Sequence, residues 1–255
     1  MTRIRKPNSL ELNHVVAVFL LCVGMAFLAT YLTSPPQSHG ATFRPFTVNE
    51  VQQMFGNDND PLVTIHATFA RRSDGSWSHT YDVKAQDHVP REAVEFLDVS
   101  SAIFVHAEPV TRSIMTRHLA LAELPDYVRA GVRGCDGSED KPDLQRSAML
   151  GFDVVRIETK EGSGTELKLV APMLDCYPLR DVFTAVDGRR TATSVIAIRE
   201  GEPSSNLFEP PQGYLERSPK EIQALYGQII PGAKLFDDRQ LPALEQRYRR
   251  SQDMR

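Results

Sequence analysis

Cysteine is scarce in this chain: three stand among 255 residues, at positions 22, 135 and 176. No CxxC pair exists, and no two histidines stand at the i, i+4 spacing of a helical zinc site, so neither a metal centre nor a cofactor is indicated. The GxSxG elbow that presents a nucleophilic serine is also missing. An SxxK spacing, Ser138 to Lys141, sits in a charged loop ahead of Pro142 without the further motifs of a penicillin-binding set. Gly227 to Lys234, GQIIPGAK, departs from a phosphate loop, with Ala233 where lysine is required and Lys234 where serine or threonine belongs. The acidic turn GNDNDP fails the calcium-loop pattern because Pro61 and Val63 intrude. These absences together point away from an enzyme.

A surplus of positive charge is lacking as well. Without Arg3, Arg5, Lys6 and Glu11 the chain holds 26 basic and 32 acidic residues, a formal charge of −6. That balance excludes an electrostatic nucleic-acid binder. Long alternation of strand and helix patterns is absent too, which excludes a parallel dinucleotide-type sheet.

What the chain does hold begins at its N-terminus. Arg3, Arg5 and Lys6 precede eighteen uncharged residues, Val15 to Leu32, and no Lys or Arg follows until Arg44. Eighteen helical residues span roughly 27 Å, close to the hydrocarbon thickness of a bilayer. The positive-inside rule then leaves residues 1–14 in the cytoplasm and sends residues 41–255 across the membrane. The run is longer than a secretory core, and Ser38-His39-Gly40 is a poor cleavage site, so a retained signal anchor is expected, with a cleaved signal as the alternative. Residues 33–46 read as a linker stiffened by Pro35-Pro36.

Cys135 and Cys176 are the two cysteines outside that run. On the oxidising side of a membrane an even pair reads as a disulfide. Closing its loop is worth about 4 kcal/mol in the chain-entropy model.

The region from Thr47 to Phe55 carries Val48, Val51, Met54 and Phe55 at helical spacing behind a threonine cap, which predicts a short helix. Strand signals follow. Val63, Ile65, Ala67 and Phe69 alternate with polar residues, as do Tyr81, Val83 and Ala85 beyond Asp74-Gly75. Matching the apolar faces requires an odd loop; three residues, Asp74 to Ser76, put Phe69 opposite Tyr81 and Ala67 opposite Val83. Strands are also expected near 93–98, 101–107 and 110–118. Two more hairpins are expected around Gly162-Ser163-Gly164 and Asp187-Gly188. A weak helical pattern covers 120–132. At the C-terminus, Ser218-Pro219 opens a helix with the stripe Ile222, Leu225 and Tyr226, and Gln240 to Arg250 reads as a solvated helix rich in arginine.

One resemblance rests on GFDVVRIETKEGSGTELKLVAPMLDCYPLRDVF and the later ATSVIAIREGEPSSNLFEPPQGY. This stretch resembles uncharacterised exported bacterial proteins similar to the periplasmic lipoprotein-carrier superfamily of LolA, LolB and RseB. Pro178-Leu179-Arg180 matches an xPLK-like strand start, and Leu207 to Tyr214 a closing LFxxPxGY-like element. The resemblance implies an antiparallel half-barrel around helices, often with an apolar concave face for acyl chains.

The expected fold class is therefore α+β: one N-terminal transmembrane helix, then a curved antiparallel sheet of about eight or nine strands, with a short N-terminal helix and C-terminal helices. The expected layout is an anchor at 15–32, a half-barrel domain at 47–217 and a helical extension at 218–255. Strand alternation nominates Phe69, Tyr81, Phe96, Phe104, Leu169 and Phe183 as ligand-lining residues. The expected function is non-catalytic binding of a lipid, acyl chain, lipoprotein or other hydrophobic ligand by a tethered periplasmic domain. The alternative is a module that binds or regulates another envelope protein.

Overall fold

A computed structural model describes residues 43–56, 60–84, 90–124 and 145–253. Val15–Leu32 lie outside the described residues, among which no helix is long and apolar enough to cross a membrane. The sheet is larger than expected. Among the described residues twelve strands form a single open sheet: β1 (Phe46–Phe55), β2 (Pro61–Arg71), β3 (Trp77–Lys84), β4 (Pro90–Asp98), β5 (Ile103–Glu108), β6 (Ser113–His118), β7 (Arg146–Met149), β8 (Phe152–Glu161), β9 (Gly164–Ala171), β10 (Tyr177–Ala185), β11 (Arg190–Glu200) and β12 (Leu215–Glu216). Their order is β12-β6-β5-β4-β3-β2-β1-β11-β10-β9-β8-β7. Every pairing is antiparallel except the short parallel contact of β12 with β6.

The fold class expected from the sequence is thus corrected on two points. Among the described residues the strands number twelve rather than eight or nine, and the predicted helix at 47–55 is β1, while the expected transmembrane helix at 15–32 lies outside those residues. The last error has a physical cause. In β1 the buried residues Phe46, Val48, Glu50 and Gln52 follow a period of two, but Glu50 and Gln52 are polar, so the buried face does not look apolar in the sequence. The leftover apolar residues then imitate a helical stripe. The other strands missed, β7 and β12, are four and two residues long, too short for an alternation to be read.

The first hairpin matches the expected faces at a different register. Ala67 lies opposite Tyr81 and Phe69 opposite His79, with Arg72 to Ser76 between the strands. The loop is odd, as face matching requires, but five residues long. Arg72 N–H donates to Ser76 O at 2.8 Å, and the Ser76 N–H donates to the Asp74 carboxylate at 2.8 Å. Gly75, at φ 88°, has no room for a Cβ, which would stand 2.8 Å from the Phe43 ring.

The sheet curls. Tyr177 of β10 stacks on Phe69 of β2 with ring centroids 4.8 Å apart, although β1 and β11 separate those strands. Three strand spacings on a flat sheet would put them about 14 Å apart. The resulting core joins Phe46, Val48, Phe69, Val154, Leu174, Tyr177 and Leu179, with Trp77, Phe152 and Leu169 packed against it. Arg71, only 4% exposed, holds the same region. Its guanidinium donates to Asp175 Oδ2 at 2.7 Å and Leu174 O at 2.9 Å, and lies 4.8 Å from the Phe46 ring centre.

Among the described residues two helices complete the domain, both where the sequence places them. α1 (Pro219–Ile229) opens with a capping box in which Ser218 Oγ accepts from Glu221 N–H and Ser218 N–H donates to the Glu221 carboxylate. α2 (Leu241–Gln252) carries Arg247, Arg249 and Arg250 on its exposed side. Ile222 and Phe236 pack on Met115 of β6, with Leu244 and Tyr248 beside them. Of the segment expected to be helical at 120–132, Leu121–Glu123 forms a 3-10 turn and residues 125–144 lie outside the described residues.

The β8–β9 turn supplies a test of close packing. A Cβ on Gly164 would fall 2.2 Å from Thr184 O and 2.9 Å from Phe183 Cζ, whereas one on Gly162 meets nothing within 4 Å. Gly164→Ala is expected to destabilise the fold by about 1–3 kcal/mol, and Gly162→Ala to stay within about 0.5 kcal/mol of the parent. Urea unfolding of both variants measures the contrast, and equal midpoints would refute the packing argument.

Candidate functional site

The polar residues that disguise β1 meet at the middle of the sheet. Glu50 is 1% exposed and Gln52 0%. Ala67 of β2 lies between Glu50 and Tyr81 in the register, and Phe69 pairs with His79. The small side chain of Ala67 leaves space above β2 for β1 and β3 to touch. His79 Nε2 is 3.2 Å from Glu50 Oε2, and Tyr81 Oη is 2.8 Å from His79 Nδ1. Tyr177 Oη donates to Glu50 Oε1 from β10. Gln52 Nε2 lies 3.5 Å from both Glu50 Oε2 and His79 Nε2.

One arrangement of hydrogens serves the His79 chain: Tyr81 Oη donates to Nδ1, and Nε2 donates to Glu50. In that arrangement the carboxylate receives Tyr177, His79 and Gln52, so three donors offset its burial. Burial, and then the charges of Glu95 and Glu50, hold the Tyr81 hydroxyl well above its ordinary range, so it remains a hydrogen-bond donor at neutral pH. Gln52 Oε1 is different. It is a buried acceptor with no hydrogen-bond partner among the described residues.

The polar belt continues across neighbouring strands. His79 pairs with Glu95 of β4, and Glu95 with His106 of β5. His106 Nδ1 lies 2.8 Å from Glu95 Oε1, with side chains 22% and 19% exposed. Burial alone would raise the Glu95 carboxyl and lower the His106 imidazole. Their mutual hydrogen bond and charge outweigh it, so Glu95 is held below its usual value and His106 above its own. In the other direction Gln52 pairs with Thr193 of β11, and Thr193 with Asp181 of β10. Asp181 is pushed up to about 6, first by burial, which outweighs the attraction of Lys168 at 3.8 Å. Among the described residues no group of three or more His, Cys, Asp or Glu is placed to hold a metal ion.

The six residues nominated by alternation fall into different clusters. Phe69 lies in the main core and Leu169 packs against it. Tyr81 belongs to a cluster with Ile65, Ala67 and Ala93, against which Met54 and Val63 pack. Phe104 faces Trp77 at 6.2 Å. Phe183 is half-buried and lies over Gly164. Phe96 packs elsewhere, with Ala70, Val94, Val105 and Phe208 on the opposite face of the sheet. Cys176 sits half-buried just before β10, at φ 61°, and Cys135 lies outside the described residues. Alternation passed over Glu50, Gln52 and His79 because it registers only apolar residues.

No protein-family model matches the chain, and no curated protein matches it significantly. Among solved structures it is similar to PNGF-II at 12% identity and a TM-score of 0.41, covering 73% of this chain and 32% of that one. The chain thus spans about a third of that protein's length. A LolA superfamily protein from Nitrosomonas europaea matches at 10% identity and a TM-score of 0.30, over 65% of this chain and 90% of that one. LprF from Mycobacterium bovis matches at 12% identity and a TM-score of 0.32, over 67% and 90%. The second half of the sequence resembles the LolA superfamily, and a solved structure of that superfamily is among those to which the chain is similar.

Asp181 yields a pH prediction. Its pKa is raised from 3.8 in the unfolded chain to about 6 in the fold, so the unfolded state releases its proton first and stability falls as pH rises between those values. Asp181→Asn is expected to stabilise the protein at pH 8 by on the order of 1–3 kcal/mol and to leave it unchanged near pH 3. Thermal unfolding at both pH values checks the sign; the same gain at both would exclude ionisation as the cause.

Proposed function

We propose that this chain is a non-catalytic binding domain that takes a lipid, acyl chain or other hydrophobic ligand along the inner face of its curled sheet. One observation carries the reading. On the face that buries Phe46, Val48 and Glu50, the residues toward the far end of β1 and its neighbours are only half-covered: Met54, Val63, Ile157 and Phe183. Apolar side chains left open on the inside of a curled sheet are the usual lining of a ligand site. Phe69, Tyr81 and Phe104 continue that face inward. The charge balance of the chain suits a neutral or cationic ligand better than nucleic acid.

The reading includes the anchor: residues 15–32 hold the domain at the periplasmic side of the inner membrane. The run of eighteen uncharged residues behind three cations supports this. A Cys135–Cys176 disulfide belongs to the same reading, supported by the even pair of cysteines beyond the apolar run. Peptide mass mapping without reductant is expected to return a linked pair containing both cysteines, lost on reduction; free thiols at both positions would refute the pairing.

A second reading, an envelope protein partner, draws on α2, whose Arg247, Arg249 and Arg250 are exposed. Native mass spectrometry of the full chain, extracted in detergent from bacterial membranes, separates the two. A bound lipid or acyl mass, reduced at least several-fold by Phe183→Asp, is the expected result. A bare mass in parent and variant alike would overturn hydrophobic-ligand binding.

A further inference from the structure

Gln52 is the one member of the central cluster whose chemistry is incomplete. Its side chain is fully buried, its Nε2 lies toward Glu50 and His79, and its Oε1 has no partner among the described residues. An amide places its oxygen on the side away from its nitrogen, so Oε1 faces away from the Tyr81–His79–Glu50 chain. A buried acceptor left without a donor is costly, and a group that the fold receives can offset that cost.

The surroundings define that group. Gln52 lies between Thr193 and Ile65 in the register, and Met54, two residues along the same face, is half-covered. Met54 is an unbranched side chain able to move aside. The half-covered end of the face therefore begins one side chain from Oε1. Carboxylates lie nearby, with the Lys168 ammonium beside Asp181 two strands beyond Thr193 on the same face. Glu50 adjoins Gln52, and its charge reaches Asp181, one strand beyond Thr193. The described partners of the Glu50 carboxylate are Tyr177, His79 and Gln52, with no lysine or arginine among them.

We propose that Gln52 Oε1, with the field of Glu50 behind it, is the recognition point for a primary ammonium group carried on an apolar chain. The chain lies along Met54, Val63 and Phe183, and the ammonium donates to Oε1. This inference rests on the inner face being the ligand surface and adds the polar end that the face selects. No bond is made or broken.

Trp77, the only tryptophan in the chain, supplies the readout, since it stacks on Phe69 at 6.3 Å and Phe69 meets the His79 ring at 5.8 Å. The full chain in phosphatidylcholine vesicles is titrated with hexylammonium and, separately, with hexanoate. Saturable change in Trp77 fluorescence is expected for hexylammonium at an affinity at least about tenfold above hexanoate, the scale of one charge-assisted hydrogen bond. Gln52→Leu is expected to remove about that tenfold preference while hexanoate is unaffected. The comparison of the two probes on the parent chain stands even if that variant does not fold. Equal binding of both probes to the parent, or a preference that survives in Gln52→Leu, overturns ammonium recognition while leaving hydrophobic binding in place. No saturable response to either probe overturns the proposal, and the fate of the hydrophobic reading is then decided by the mass measurement above.

Discussion

Glu50 is a carboxylate sealed inside a β-sheet, and much of the domain's shape is arranged around keeping it satisfied. Its hydrogen bonds reach β3 through His79 and β10 through Tyr177, strands that lie two places from β1 on either side of it. The curl that stacks Tyr177 on Phe69 also brings the Tyr177 hydroxyl to that carboxylate. The ring of Tyr177 meanwhile stacks on Phe69 and meets Phe46 edge-on at 5.0 Å. One side chain thus joins the polar belt to the apolar core. Removing either partner of the Tyr177–Glu50 contact leaves the other buried without its match, which costs more than the bond itself contributes.

Arg71 performs the equivalent task at the end of the same core. It ties the loop after β9 to β2 through Asp175 and Leu174 O, and its proximity to Asp175 is a salt bridge with side chains only 5% and 12% exposed. Buried pairs of this kind contribute little net stability against apolar substitutes, but they are exacting about geometry. Asp175 and Cys176 both adopt left-handed backbone conformations there, which a non-glycine residue holds only when its surroundings require it. The segment leading to Tyr177 is therefore positioned by charge and by backbone as well as by packing.

Much of the sheet was legible in the sequence where strands are long and face the core with apolar residues. The hairpins at Gly162-Ser163 and Asp187-Gly188 announce themselves by turn chemistry, and α1 by its Ser218-Pro219 cap. Parity of the first hairpin could be read from face matching, but not its length, because the five-residue loop closes through Asp74 and Ser76 contacts that alternation does not encode. The central site was the least legible part. Its members look like solvent-facing polar residues in a one-dimensional pattern, and only the curl that brings β10 over β1 and β2 turns them inward. The signal that could have exposed β1 was the strict spacing of Phe46, Val48, Glu50 and Gln52, had polar residues been admitted to a buried face.

The place of β1 in the strand order bears on how the protein comes to be. β1 is the first strand of the described chain yet lies in the middle of the sheet, between β2 and β11, with Phe46 paired to Glu200. A chain made from its N-terminus must therefore expose one whole edge of β1 until nearly the entire domain has been synthesised. Contacts that close so late across the sequence make folding slow and leave a long unpaired strand open to wrong partners. The buried Glu50 on that waiting strand has a second value in such an interval: a charged side chain in an unpaired strand opposes its addition to another sheet, so the residue that later orders the core also guards the strand before the core exists.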